Sequence, residues 1–199
     1  SVDPTPAAIP SWEGEVIPVS YEVAMEVGKI RREIGANIEK SRDPFEALSK
    51  LNMDTPSKTK IIETIRKHIE EGFPLPHDRK FMIESFENYI IIHACLGDKA
   101  NQTLSRIIAS LLTAKSGIEI AVQADPYRIA LISPYPLDPS TIEKELLSLK
   151  PQDIRKIITA IIDQTNLFLW VFWNNAKRFG IIRKNTEYRL TQTQALLRV

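Results

Sequence analysis

The chain has 199 residues, 43% of them hydrophobic and 26% charged, with a formal net charge of +1 and a single cysteine. That length and balance suit one sizeable core or two small ones and exclude disordered, fibrous and repeat classes. A lone Cys95 rules out an intrachain disulfide and fits a reducing, cytoplasmic home, while the longest apolar runs fall far short of the roughly 20 residues that a membrane span needs.

Residues 1–17 carry Pro4, Pro6 and Pro10 and read as an extended arm, because proline withholds a donor and biases its predecessor away from helix. Ser20 then caps a helix whose Val23, Val27, Ile30, Ile34 and Ile38 predict one apolar stripe, with Arg31 and Arg32 off it. A short helix follows around Phe45 to Leu51. Thr55-Pro56 opens another, with Ile61, Ile62, Ile65 and Ile69 on its inner face and Gly72, Pro74 and Pro76 ending it. These elements form a first block, an arm plus helices over residues 1–76.

The second block, residues 77–138, reads as β-β-α-β-β. Strands at about Lys80 to Ser85 and Tyr89 to Cys95 are joined by Phe86-Glu87-Asn88, a link short enough only for an antiparallel hairpin. A helix from about Lys99 to Ser116 is closed by Gly117. Ile118, Ile120 and Val122 alternate with polar or small residues, as in a strand with one wet face, and Asp125-Pro126 turns the chain into Arg128 to Ile132. The third block, residues 139–199, is helical again: Pro139 and Pro151 each start a helix, and a third runs through Leu167 to Phe179. Its centre, Phe168-Leu169-Trp170-Val171-Phe172-Trp173, is apolar around the whole circumference. That pattern predicts a hub buried on all sides, or a helix with one side docked on a neighbour. The fold class expected is α+β, a central antiparallel sheet flanked by helical blocks in one compact fragment.

Charge is distributed unevenly. Residues 151–199 hold eight Lys/Arg and three acids, so the tail is about +5 and the remainder about −4. A basic edge of this kind faces phosphate or is a solvated helix face. Trp12, after a proline and before Glu13-Gly14, is either a base-stacking platform or a staple for the arm. Arg31 and Arg32 make a positive spot or pair with Glu22, Glu26 or Glu33. Asn101 and Thr103 lie in the first turn of a helix, where they cap it or frame an anion site. Arg128 pairs with Asp125 or reaches a phosphate, and Lys177 and Arg178 complement a helix C-terminus whatever else they touch.

Enzyme chemistry finds little support. The three histidines lack metal-ligand spacing, no Gly-x-Ser-x-Gly elbow occurs, and Gly97-Asp98-Lys99-Ala100-Asn101-Gln102-Thr103 lacks the second glycine and the Gly-Lys-Ser/Thr ending of a phosphate loop. No metal and no cofactor are expected on this chain.

Tyr89-Ile90-Ile91-Ile92-His93-Ala94-Cys95-Leu96-Gly97-Asp98-Lys99-Ala100-Asn101, followed by Asp125-Pro126-Tyr127-Arg128-Ile129, resembles the DEAD/H-associated region downstream of the motor and winged-helix domains in large helicase-related (Lhr) proteins of the superfamily 2 helicases. Pro10-Ser11-Trp12-Glu13-Gly14-Glu15 and Ala176-Lys177-Arg178-Phe179-Gly180 fit it too, so the resemblance spans nearly the whole chain. It implies an accessory nucleic-acid-binding domain of an ATP-dependent helicase, lining the path of the tracked strand. ATP and Mg²⁺ would be held by a motor outside this sequence. The partners implied are single-stranded or tailed nucleic acid and the motor and winged-helix domains, with no membrane. The contacts implied are Trp12, Arg31, Arg32, Asn101, Arg128, Lys177 and Arg178. A start without methionine and an end inside a helix-compatible pattern fit an excised piece. A protein-docking module that touches no nucleic acid is the other reading of the same residues.

Overall fold

Helix α1 (Tyr21–Glu39) begins where Ser20 stops the extended approach: its Oγ accepts the Val23 N–H at 3.3 Å. The computed structural model describes residues 17–197. A 3₁₀ turn (Pro44–Leu48), braced by Asp43, leads to α2 (Thr55–Glu70), whose cap is Asp54, one residue before the predicted start. Ile34, Leu48, Ile62 and Ile65 close a small core between these three pieces.

The predicted stripe of α1 holds at Ile34, which is buried, and at Ile30 and Ile38, which pack on the same core, but not at its start. Val23 is 54% exposed, and the buried positions are Ala24, Gly28, Ile34 and Gly35. Small residues win because the helix must approach backbone: a Cβ on Gly28 would lie 2.7 Å from the Asp78 nitrogen and 3.0 Å from the Cys95 sulfur.

Four strands form one antiparallel sheet: β1 (Met82–Phe86), β2 (Tyr89–His93), β3 (Ala121–Asp125) and β4 (Arg128–Ile132), in spatial order β1-β2-β4-β3. Phe86 pairs with Tyr89 across a two-residue link, Glu87-Asn88, with Glu87 at φ 51°. The third strand starts three residues later than its alternation predicts. Gly117, at φ 69°, ends helix α3 (Asp98–Ser116), and residues 118–120 carry the chain back to the sheet edge before pairing begins. Ile120 is buried there without belonging to the strand. With α3 and α4 (Pro139–Ser148) over the inner face, Ile90, Ile92, Ile129 and Leu131 meet Ile108, Leu112 and Ile142 in the main core. The expected α+β class with a central antiparallel sheet holds.

Registers fix what the outer face presents. Tyr89 stands opposite Ile132, Ile91 opposite Ala130, and His93 opposite Arg128, so an aromatic ring lies at one end and an imidazole beside a guanidinium at the other.

After α5 (Pro151–Ile161) come a 3₁₀ turn, α6 (Asn166–Arg178) and α7 (Leu190–Leu197). The expectation that α6 is buried on all sides is overturned. Leu169, Trp173 and Ala176 are buried while Trp170 and Val171 are exposed, because among the described residues α6 packs chiefly on the preceding 3₁₀ turn, on α7 and on the segment between α6 and α7. Trp173, Ala176 and Ile182 form its own small cluster. No helix among the described residues is long and apolar enough to cross a membrane.

Candidate nucleic-acid interface

The turn between β3 and β4 is built by one carboxylate. Asp125 Oδ1 accepts the Tyr127 N–H at 2.8 Å, and Oδ2 accepts from Arg128 at 2.8 and 2.9 Å. Tyr127 and Pro126 in turn accept, through their carbonyls, the N–H groups of Ala94 and Gly97, each at 2.9 Å. That ties the turn to the segment leaving β2. The Arg31 guanidinium lies 5.2 Å over the Tyr127 ring, a cation–π contact between α1 and the turn. A groove of about 460 Å³ opens here, between α2 and the end of the sheet, lined by Arg31, Tyr127, Arg128, His68 and His93 with apolar Ile65 beneath. His93 Nε2 sits 3.2 Å from Glu84 Oε2 on the same sheet face.

Of the residues singled out in the sequence, Arg31 and Arg128 thus line one groove with Tyr127, and Arg128 makes the ion pair with Asp125, one of its two expected roles, with 60% of its side chain still exposed. Lys177 and Arg178 lie apart, in the last turn of α6, with the Lys177 ammonium 5.7 Å over the Trp173 ring. Trp12 lies outside the described residues.

Two assignments change. Arg32 makes a two-pronged pair with Asp78, Nε to Oδ1 at 2.8 Å and Nη2 to Oδ2 at 3.1 Å, and so is committed to the loop after α2 instead of to phosphate or to acids on its own helix. The same guanidinium holds the Asp78 carboxyl below the usual carboxylate range. Asn101 is fully buried, at 0% exposure, and so lies inside the fold and not on the groove surface. Its amide donates to the carbonyls of Ala94 at 2.9 Å and Asp125 at 2.8 Å, joining the ends of β2 and β3. Neither Asn101 nor Thr103 caps α3. Thr103 bonds back to the Lys99 carbonyl at 2.8 Å, and Gly97 at φ 81° occupies the cap position.

No anion fits at that helix start. The Asp98 carboxylate accepts the Val19 N–H at 2.6 Å while its own N–H reaches the Val19 carbonyl at 3.0 Å. A Cβ on Gly97 would come within 2.8 Å of the same strand of backbone. Cys95 is buried, and burial pushes its thiol up, away from the reactive thiolate. Among the described residues no group of three or more His, Cys, Asp or Glu is placed to hold a metal ion.

The signal that sequence reasoning missed was Tyr127, an aromatic at the tip of a turn between Asp125 and Arg128, over which Arg31 stacks.

A family model described as DEAD/H associated matches residues 75–198. The chain belongs to the DEAD/H associated family. The matched span of this DEAD/H associated chain includes the sheet, Tyr127, Arg128, Lys177 and Arg178, whereas Arg31 and Trp12 precede it. Along most of its length the chain is also similar to curated helicases. It is 26% identical to the ATP-dependent helicase Lhr-Core of Saccharolobus solfataricus, over 96% of this chain and 24% of that protein. With the Lhr-Core helicase of Methanocaldococcus jannaschii the identity is also 26%, over 88% of this chain and 21% of the relative. The chain therefore spans about a quarter of the length of these relatives. The structure of Mycobacterium smegmatis helicase Lhr bound to ssDNA and AMP-PNP superposes over 98% of this chain and 26% of that one, with a TM-score of 0.69 at 21% identity, a likeness of fold.

Proposed function

We propose that this DEAD/H associated region is the accessory nucleic-acid-binding part of an Lhr-type ATP-dependent helicase, lining the path of the tracked single strand and coupling it to the motor. ATP and Mg²⁺ belong to motor domains elsewhere in the parent protein, and those motor and winged-helix domains are its neighbours. The observation that carries the reading is the groove that Arg31 and Arg128 line with Tyr127. Two guanidiniums suit phosphate oxygens in a way that lone lysines do not, and single-strand binders combine a cationic track with aromatic faces. The relatives named as ATP-dependent helicases, and the ssDNA named in the Mycobacterium smegmatis structure, support the same direction. Trp12 remains the stacking residue proposed for the arm.

The test is binding of a labelled oligothymidylate by the full-length protein across a salt series. Arg128→Ala and Arg31→Ala should each lower the slope of log K against log[salt] by up to about 0.7, because each removes a phosphate contact. Trp12→Ala should weaken binding by roughly 1 to 3 kcal/mol with the slope nearly unchanged. Parent-like salt slopes in both arginine variants would refute the groove.

One observation favours a second reading, a docking module for another protein domain. On the outer sheet face Phe86 is 68% exposed beside half-open Tyr89, and Ile91 and Ile132 adjoin them. A Phe86→Ser variant that unwinds normally but loses contact with the other domains would mark that end of the sheet as a docking surface.

A further inference from the structure

Helix α6 carries a combination that the groove does not. From Gln164 to Thr186 the sequence holds Lys177, Arg178, Arg183 and Lys184 and no acid at all; Asp163 and Glu187 bracket the run. At 100° per residue, Trp170, Asn174, Lys177 and Arg178 fall within an arc of about 100°, adjacent to the arc that buries Leu169, Trp173 and Ala176. Trp170 is 56% exposed and Phe179, the cap residue, 82%. Asn174 is held on this strip by a bond from its amide to the Trp170 carbonyl at 2.9 Å, and Lys177 is held by its contact with the Trp173 ring.

We infer that this strip is a second contact for the single strand, with Trp170 as a stacking face and Lys177 and Arg178 as phosphate contacts. The inference rests on the reading of the chain as a strand-binding accessory region. Charge complementarity selects the occupant. An apolar protein surface seated here would bury cations for which the run from Gln164 to Thr186 supplies no acid, whereas a polyanion gains from each one. Dimension agrees as well. Trp170 to Arg178 is about 12 Å along the helix at 1.5 Å per residue, the rise of three to four stacked nucleotides at about 3.4 Å each. A tryptophan ring offers stacking without base preference, which suits an enzyme that must move along any sequence.

The experiment is a salt-series titration of the full-length protein with labelled oligothymidylate. Trp170→Ala and Trp170→Leu should weaken binding by roughly 5- to 150-fold with an unchanged salt slope, and Trp170→Phe should keep most of the affinity. Arg178→Ala should instead lower the slope by up to about 0.7. Because Trp170 and Arg178 are exposed, these variants should melt like the parent protein. If Trp170→Leu binds as tightly as the parent while Trp170→Ala loses affinity or domain association, the strip is an apolar docking surface and the inference is wrong. If the Trp170 variants are silent while Arg31→Ala and Arg128→Ala weaken binding, the strip falls and the groove stands. A full-length protein that binds no single strand under any salt condition overturns both.

Discussion

Single side chains here do work that local sequence spacing cannot reveal. Asn101 sits where helix caps sit, yet its amide ties the carbonyls of Ala94 and Asp125 together in the interior. Asn101→Ala would remove both of these bonds, leaving the Ala94 carbonyl with the Leu96 N–H alone, and should cost about 1 to 3 kcal/mol. Asn101→Asp should cost more, since a carboxylate would face two carbonyl oxygens. Urea unfolding of both variants measures the difference, and an Asn101→Asp protein as stable as the parent would refute the donor role. Acid should loosen a second place. Asp78 is held low by hydrogen bonds from Arg32, and neighbouring His77 is held low mainly by burial. Both groups have folded pKa values below their unfolded ones, so each contributes stability above its ordinary pKa and loses it as pH falls. The expected loss begins below about 6.5 with His77 and deepens below about 4 with Asp78. Arg32→Ala should abolish most of the lower step, which a pH series of thermal melts would record.

At the scale of elements, much of the order along the chain was legible, because periodicity and punctuation agree. Ser20, Gly72, Gly117, Pro139 and Pro151 each mark a boundary close to one observed. What was not legible was rotation. In α1 the stripe from Val23 to Ile38 holds at Ile30, Ile34 and Ile38, but at its start the packing surface is set by how closely the helix must approach the Asp78 loop and Cys95, and that favours Gly28. Gly28→Ala gains helix propensity of roughly 1 kcal/mol. It would also force a Cβ to 2.7 Å from a backbone nitrogen that Arg32 and Asp78 hold in place. Overpacking costs typically about 1 to 3 kcal/mol, and backbone can yield less than a side chain, so the net effect expected is destabilisation. A Gly28→Ala protein with a raised melting temperature would show that α1 sits farther from the loop than these distances say. In α6 the error had a different origin. A helix apolar all round reads as buried, but burial needs neighbours, and a sequence does not say how many elements pack on each side.

For the whole molecule, the groove was only partly readable, since Arg31 and Arg128 come from different blocks and only the docking of α1 against the β3–β4 turn brings them together. The same docking bears on nucleotide chemistry. In a motor, a helix N-terminus left open by a glycine loop receives phosphate. The start of α3 follows a strand and a glycine in the same way, but Asp98 and Val19 exchange hydrogen bonds across it, placing a carboxylate and a backbone strand where an anion would sit. Like charge and lost space both oppose phosphate there. The isolated chain should therefore gain no stability from Mg²⁺ and ATP, whereas a true site at a hundredfold excess over Kd would add about 2.7 kcal/mol. Thermal melts with and without the nucleotide decide this. So does phosphate release in the presence of oligothymidylate: single-strand-stimulated hydrolysis by this chain alone would mean that a catalytic site lies within it, and the division between a motor elsewhere and a strand-gripping region here would have to be abandoned.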